Sequence, residues 1–216
     1  MRCEAKLPPN PWVHRGRRVF LCAALAAALP QRARAGAQVE EPLADAVRSA
    51  LSAAIAHGAP PKPRFGAIDQ RLAYLRWLGE MSDRLKRHKT EAQTRIEFLE
   101  TVWYESVRAG LEPSLVLGLI QVESGFRKYA ISVAGARGYM QVMPFWARLI
   151  GDGQASRLFH MQTNLRFGCV ILRHYLDREN GDLYMALGRY NGSRGQPQYP
   201  NAVFAARRKW LLPGER

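Results

Sequence analysis

The segment 113–124, with the sequence PSLVLGLIQVES, limits the possible folds more than any other part of the chain. Pro113 suits the first turn of a helix, where the N–H group that proline lacks would have no helical partner. Gly125 is a stop signal at the other end. The helix between them is apolar on nearly every side, so it has no face to present to water. The fold must therefore place this helix at the centre of a core.

The remaining sequence predicts other helices that can surround this one. Apolar residues at helical spacing predict helices over 40–57, 68–89, 91–109 and 144–150. Asn164 is the expected N-cap of a helix to residue 180, and Asp182 that of a final short helix ending near Tyr190. The segment 126–143, with Gly135 and Gly138, predicts irregular structure with short strands. We expect a mainly α fold with a small β element.

The first 35 residues have the pattern of a signal peptide. Arg15, Arg17 and Arg18 precede the apolar run 19–29, and the sequence ARA at 33–35 is a small-residue cleavage site. We expect export to the periplasm of a bacterial cell envelope. The arginine pair leaves the export route open between the general and the twin-arginine pathways. Residues 36–66 are expected to form a short helix and a proline-rich linker.

The charge and the hydropathy narrow the range of partners. The full chain carries a net charge of +14, and the chain without its predicted signal peptide stays basic. A basic surface suits nucleic acid, anionic lipid or the carboxylate-rich cell wall, and export excludes nucleic acid. No apolar run reaches the roughly 18 to 20 residues that span a membrane. The charge does not decide between anionic lipid and the cell wall.

The cysteines and histidines predict neither a disulfide nor a metal site. Cys3 and Cys22 fall in the predicted signal peptide, so Cys169 has no intrachain partner afterwards and is expected to be buried. The histidines outside the predicted signal peptide show no ligand spacing with acids or cysteine: His57, His88, His160 and His174. We expect no metal and no cofactor.

Glu123 is the candidate for chemistry at the end of the central helix. Burial disfavours a charged carboxylate and raises its pKa, as a general acid requires near neutral pH. The alternative is a glutamate at a helix end that simply reaches solvent. The helix pattern by itself leaves both open.

Three motifs after this helix point to a family. They are ESGF at 123–126, GARGYMQVMP at 135–144 and ALGRYNG at 186–192. Together they resemble the catalytic domain of soluble-type lytic transglycosylases (SLT domain), relatives of goose-type lysozyme, over residues 109–206. The resemblance implies an α+β lysozyme-like domain over 109–206. A helical extension over 67–108 is expected to pack on this domain, and residues 207–216 to form a tail.

The resemblance implies that peptidoglycan glycan strands are the partner, and it also implies roles for individual residues. Glu123 matches the catalytic acid and base, and Tyr190 matches a phenol that hydrogen-bonds and orients it. Four further residues are implied to bind substrate: Ser132 as a hydroxyl near the carboxylate, Gln141 and Met143 as lining of the sugar cleft, and Asn191 beside the tyrosine.

The carboxylate count favours transglycosylation over hydrolysis. Hydrolysis by the usual route needs two carboxylates, yet no Asp or Glu lies between Glu123 and Asp152. One carboxyl suffices if it protonates the β-1,4 bond between N-acetylmuramic acid and N-acetylglucosamine and then deprotonates the 6-hydroxyl of the same muramyl sugar. That hydroxyl attacks its own anomeric carbon and gives a 1,6-anhydro product, an internal attack that proximity makes competitive with water.

Two alternatives stay open at the level of sequence. A goose-type lysozyme-like hydrolase would recruit a second acid from elsewhere in the chain, with Asp152, Asp177 and Asp182 as candidates. A catalytically inactive wall-binding scaffold would keep the fold and lose the chemistry.

Overall fold

A central helix, α4, spans Pro113–Ser124 in the computed structural model of this chain. The structure describes residues 38–56, 63 and 65–214, so the predicted signal peptide and most of the predicted linker lie outside the described residues. The other helices are α1 (Asp45–Ala56), α2 (Ile68–Leu85), α3 (Ala92–Arg108), α5 (Pro144–Ile150), α6 (Met161–Arg178), α7 (Leu183–Asn191) and α8 (Gln198–Arg207). Short 3-10 helices cover Ala155–Phe159 and Arg208–Trp210. The mainly helical fold predicted from the sequence is confirmed.

Helix α4 is enclosed as its apolar sequence requires. Leu117, Leu119 and Ile120 are fully buried, and the helix contacts α3, α8 and the 3-10 helix Arg208–Trp210. Pro113 occupies its first turn, and Gly125 follows its end in the left-handed conformation with φ of 56°. Glycine adopts this backbone without the steric penalty that a Cβ would bring. The proline and the glycine that mark the ends of this helix in the sequence therefore lie at its ends in the structure.

Helix α8 is absent from the sequence prediction, which ended the last helix near Tyr190. Its sequence, QYPNAVFAAR, begins with polar and turn-forming residues and has little amphipathic pattern. Its packing against α4 is unusually close: a Cβ on Gly118 would lie 2.6 Å from the backbone N of Arg207 and 2.8 Å from its Cα. Tertiary contact with α4, rather than local pattern, therefore explains why this segment is a helix.

The segment between α4 and α5 holds the small β element. Arg137 forms isolated antiparallel bridges with Ile131 on one side and Val142 on the other. We name residues 126–142 the active-site loop, because they follow the helix whose last turn carries the candidate acid Glu123. It is anchored on α6, where Asn164 accepts from Met140 N–H at 2.8 Å and donates to the carbonyls of Arg137 and Leu158, each at 2.8 Å.

The prediction that Asn164 caps α6 is wrong. Helix α6 begins at Met161, with His160 as its N-cap, and Asn164 lies fully buried within the first turns. Its carboxamide is engaged by the active-site loop instead of by the helix end. Asp182 does cap α7 as predicted, because its side chain accepts from Met185 N–H at 3.0 Å.

Helices α1 to α3 join the same core as the central helix. Helix α2 packs on α3, α3 packs on α4 and α6, and α1 contacts α5 and α6. Tyr74 and Leu99 belong to one hydrophobic cluster with Leu117 and Leu172. In the part of the chain that the structure describes, no helix combines the length and apolar character needed to cross a membrane.

A buried ion pair ties α3 to α6. Glu105 has no solvent-exposed surface, and its Oε1 accepts from Arg166 Nε at 3.0 Å and Nη2 at 2.8 Å. Its Oε2 accepts from Arg108 Nε at 3.1 Å. Both carboxylate oxygens therefore face a guanidinium group, which compensates the cost of removing the charge from water.

Candidate active site

Glu123 lies in the last turn of α4 with 5% of its surface exposed. Its Oε1 accepts a hydrogen bond of 2.5 Å from the hydroxyl of Tyr199 on α8. Its Oε2 is buried and has no hydrogen-bond partner among the described residues. Among the described residues, the carboxyl therefore has one neutral phenol as its hydrogen-bond partner and no ion pair.

This environment raises the pKa of Glu123 to about 8. Burial is the main cause, because it disfavours the charged carboxylate, and the hydrogen bond from Tyr199 acts in the opposite direction. The group is consequently protonated at neutral pH and holds a proton that it can transfer. This is the state that a general acid needs.

The prediction that Tyr190 hydrogen-bonds Glu123 is wrong. The Tyr190 hydroxyl donates instead to the carbonyl of Met140 at 2.8 Å, so this phenol supports the active-site loop. The position that it was expected to fill belongs to Tyr199, 76 residues from the glutamate in sequence. Tyr190 remains near the site: its pKa is raised well above the usual value by burial and, secondarily, by the negative charge of Glu123.

Tyr199 was missed because nothing local distinguishes it. It lies on α8, the helix that the sequence analysis did not predict, and outside the three motifs. Burial, followed by the charge of Glu123, raises the pKa of Tyr199 well above its ordinary value, so its hydroxyl stays a donor.

The active-site loop is bonded directly to the helix that carries Glu123. The Ser124 hydroxyl donates to the carbonyl of Tyr139 at 2.7 Å, and Arg127 Nε donates to the carbonyl of Ser124 at 2.8 Å. The glutamate–serine pair of the first motif thus joins the acid to the loop. A loop fixed in this way holds its side chains at constant distance from the carboxyl.

Gln141 stabilises the inside of this loop. It adopts a positive φ of 49°, and its Nε2 donates to the carbonyls of Gly138 at 2.8 Å and Ala130 at 3.1 Å. The side chain is buried, and its amide group is engaged by the loop. Met143 follows the loop as the residue before α5 and packs half-buried against the core.

Ser132 and Asn191 differ in how much of their hydrogen-bonding capacity is used. Ser132 Oγ accepts from Ala136 N–H at 3.1 Å within a turn and makes no hydrogen bond to Glu123 among the described residues. Asn191 Nδ2 donates to Ser193 Oγ at 2.9 Å, while its buried Oδ1 has no partner in the described part of the chain. Asn191 therefore offers a free acceptor.

The three acids considered as a second carboxylate are exposed and engaged elsewhere. Asp152 pairs with Arg157, Asp177 pairs with Arg173, and Asp182 caps α7. Within the described ranges, Glu123 Oε2 has no partner and Oε1 has only Tyr199. No carboxylate is therefore hydrogen-bonded to Glu123 in this structure.

The structure also has a cavity between helices α1 and α6, which is separate from this site. This cavity of about 550 Å³ is lined by residues such as Ile55, Gly151 and Phe167. Asp152, one of the acids weighed for a hydrolase, lies in its wall, but Glu123, Tyr190 and the four predicted substrate-binding residues do not. The site is accordingly defined by Glu123, Tyr199 and the active-site loop.

Comparison with known proteins gives consistent matches over this region. The family model of the transglycosylase SLT domain matches residues 101–212. Membrane-bound lytic murein transglycosylase C of Actinobacillus pleuropneumoniae serotype 5b is 37% identical over 114 residues, covering 46% of this chain and 31% of the relative. The transglycosylase of Enterobacteria phage PRD1 is 34% identical over 104 residues, covering 48% of this chain and 38% of the relative.

A solved structure is similar in part. An inactive mutant of the lytic transglycosylase Slt from Pseudomonas aeruginosa aligns with a TM-score of 0.41 and 26% identity, over 67% of this chain and 24% of that chain. The chain spans about a third of the length of the curated relatives it matches.

Proposed function

Because the chain belongs to the transglycosylase SLT domain family, we propose that it is a peptidoglycan lytic transglycosylase. It cleaves the β-1,4 bond between N-acetylmuramic acid and N-acetylglucosamine and leaves a 1,6-anhydro-muramyl end. One observation carries this proposal above the others: the buried carboxyl of Glu123 has a neutral phenol as its hydrogen-bond partner and a pKa raised to about 8. The three acids weighed as a second carboxylate are exposed and engaged elsewhere.

Glu123 acts first as an acid and then as a base. With a pKa of about 8, it carries a proton at neutral pH and transfers it to the glycosidic oxygen. The bond from that oxygen to the muramyl anomeric carbon breaks, and the N-acetylglucosamine side leaves with a free hydroxyl. The carboxylate that results is stabilised by the hydroxyl of Tyr199. It then accepts the proton of the muramyl 6-hydroxyl, whose oxygen bonds to the anomeric carbon. Glu123 regains its proton and no water is consumed.

The residues around Glu123 position the sugars. We assign Asn191 a hydrogen bond to substrate through its unpartnered Oδ1, since a sugar hydroxyl or acetamido N–H would satisfy it. Gln141 borders the cleft from the active-site loop and Met143 from the position that follows the loop, while Ser132 stabilises a turn within the loop. Tyr190 acts as a positioning residue through the carbonyl of Met140.

The decisive experiment is mass spectrometry of the products after residues 36–216 digest purified sacculi. Anhydro-muropeptides, one water lighter and without a reducing end, are the expected result. Reducing-end muropeptides would overturn the proposal and identify a hydrolase. Binding to sacculi without any product would identify a scaffold. The Glu123→Gln variant is the matched control, because it keeps the shape of the side chain and removes its proton transfer.

We also infer that the protein acts in the periplasm of the bacterial cell envelope. The predicted signal peptide supports this, as does the similarity to a membrane-bound lytic murein transglycosylase. Cell fractionation and N-terminal sequencing test it: the mature chain is expected to begin at Gly36. Replacing Arg17 and Arg18 by lysine distinguishes the two export routes, since it blocks the twin-arginine route.

A further inference from the structure

The outer face of the active-site loop carries exposed apolar side chains. Tyr129 has 70% of its surface exposed, and Ile131 and Val133 are exposed beside it. The Tyr129 ring lies 6.0 Å from the ring of Phe159 at an interplanar angle of 48°. Two neighbouring aromatic rings, one of them on the active-site loop, form a surface that a ligand is able to cover.

Two cations flank these rings. Lys128 Nζ lies 5.2 Å from the centre of the Tyr129 ring, and the Arg137 guanidinium lies 5.6 Å from the centre of the Phe159 ring. Neither cation forms an ion pair with the residues that the structure describes. The nearest acid after the loop in sequence is Asp152, and it is paired with Arg157. The positive charge here is therefore not neutralised by the loop itself.

The backbone holds this group of side chains in place. Asn164 Nδ2 donates to the carbonyls of Arg137 and Leu158, which fixes the residue before Phe159 relative to Arg137. The carbonyl of Ala130, next to Tyr129, accepts from Gly138 N–H at 2.9 Å as well as from Gln141. A surface that is already ordered loses little conformational freedom when a ligand binds.

We propose that Tyr129, Phe159, Lys128 and Arg137 form a subsite for the anionic peptide stem of peptidoglycan. The two cations pair with carboxylates of the stem, and the two rings pack against its alkyl portions. This inference rests on the proposed function, because it names the part of the substrate that reaches the rim of the same site. It makes the protein selective for glycan strands that still carry their stems.

The test measures binding by isothermal titration calorimetry, with the Glu123→Gln protein to prevent cleavage. The probes are uncross-linked glycan strands that carry stems, and the same strands after an amidase has removed them. We expect about tenfold weaker binding to the stripped strands, the sum of two exposed ion pairs and an aromatic contact. In that background, Lys128→Ala with Arg137→Ala, and separately Tyr129→Ala, are expected to reduce binding to stem-bearing strands and leave the stripped strands unaffected.

The matched controls lie on α2. Arg71→Ala with Arg76→Ala removes the same charge from another exposed surface, and Leu75→Ala removes an exposed apolar side chain. These controls are expected to bind both probes as before. Equal binding of the two probes would overturn the subsite, as would an equal loss in the control variants, which would indicate a general charge effect. Variants at Lys128 with Arg137, or at Tyr129, that bind stem-bearing strands as before would also overturn it.

Product analysis separates this inference from the function on which it rests. Anhydro products from the protein with native Glu123, together with stem-independent binding, would reject the subsite alone. Stem-selective binding without anhydro products would reject the lytic transglycosylase and retain the subsite.

Discussion

Two glutamates lie buried on the neighbouring helices α3 and α4, and their partners differ. Glu105 faces guanidinium groups of Arg166 and Arg108, while Glu123 faces the hydroxyl of Tyr199 on one oxygen and no partner on the other within the described residues. A buried charge next to cations is compensated and holds helices together. A buried carboxyl without a cation keeps its proton at neutral pH. The comparison shows that burial alone does not make a glutamate catalytic.

The largest expected effect is on turnover. Glu123→Gln is expected to reduce the rate of cleavage at least about 10⁴-fold, because it removes both the acid and the base. The rate of anhydro-muropeptide release from sacculi measures this, and circular dichroism verifies that the variant is folded. Turnover near the native rate would show that Glu123 is not the catalytic acid, so that its role would no longer differ from that of Glu105.

The next effect is on stability. Glu105→Gln is expected to lower the free energy of unfolding by about 3–5 kcal/mol, because it leaves the buried Arg166 guanidinium without its anion. Urea unfolding measures the loss, and turnover per folded molecule is expected to stay native. The control is Asp152→Asn at an exposed ion pair, which is expected to change stability by less than about 1 kcal/mol. A loss of activity in the folded Glu105 variant would contradict the assignment of a structural role to Glu105.

The dependence of stability on pH sharpens the comparison further. The pKa of Glu123 is about 8 in the folded protein and about 4.5 when unfolded. Between these values the unfolded state releases a proton that the folded state keeps, so stability falls as pH rises from about 4.5 to about 8. Glu123→Gln lacks this dependence and is expected to be more stable than the native protein by about 3 kcal/mol at pH 7.

Urea unfolding at a series of pH values checks this expectation. The difference in stability between the native protein and Glu123→Gln is expected to be small near pH 4, to widen through neutral pH and to level off above pH 8. A difference that does not change with pH would mean that Glu123 ionises normally in the folded protein.

The smallest effect concerns the two tyrosines. Tyr199→Phe removes a hydrogen bond to the charged form of Glu123, an interaction of about 1.5–3 kcal/mol, so turnover is expected to fall roughly tenfold or more. Because this bond lowers the pKa of Glu123, its loss is expected to move the alkaline limb of the pH–rate profile to higher pH. The profile of kcat/KM against pH is the measurement.

Tyr190→Phe is the matched control for the tyrosine test. It removes a hydroxyl that donates to the Met140 carbonyl, so it is expected to cost about 1 kcal/mol of stability and to leave the alkaline limb in place. A shift of the limb in the Tyr190 variant, and none in the Tyr199 variant, would reverse the assignment made from the geometry.

The sequence predicted those features that depend on nearby residues. Helix α4 and its boundaries follow from a continuous apolar run between Pro113 and Gly125, and Asp182 is a cap because its partner is three residues away. Glu123 was identified because it ends an apolar helix and begins a motif. Each of these features can be predicted from a short stretch of sequence.

The features that were missed depend on contacts between distant segments. Tyr199 reaches Glu123 from a helix whose own pattern is weak, and Asn164 serves a loop more than 20 residues before it. An asparagine near the start of a helix has the same sequence pattern whether it caps the helix or binds a loop. Only the folded arrangement distinguishes the two.

The close approach of α4 and α8 affects which homologues of this protein can keep its activity. Glu123 is five residues after Gly118 on one helix, and Tyr199 is eight residues before Arg207 on the other. The distance between Glu123 and Tyr199 thus depends on the absence of a Cβ at Gly118, which lies one to two helical turns away along the same pair of helices. A descendant that acquired alanine at position 118 would retain every motif residue and still separate the pair. Sequence motifs alone would classify such a descendant as active, although its acid had lost the neighbour that stabilises its charge.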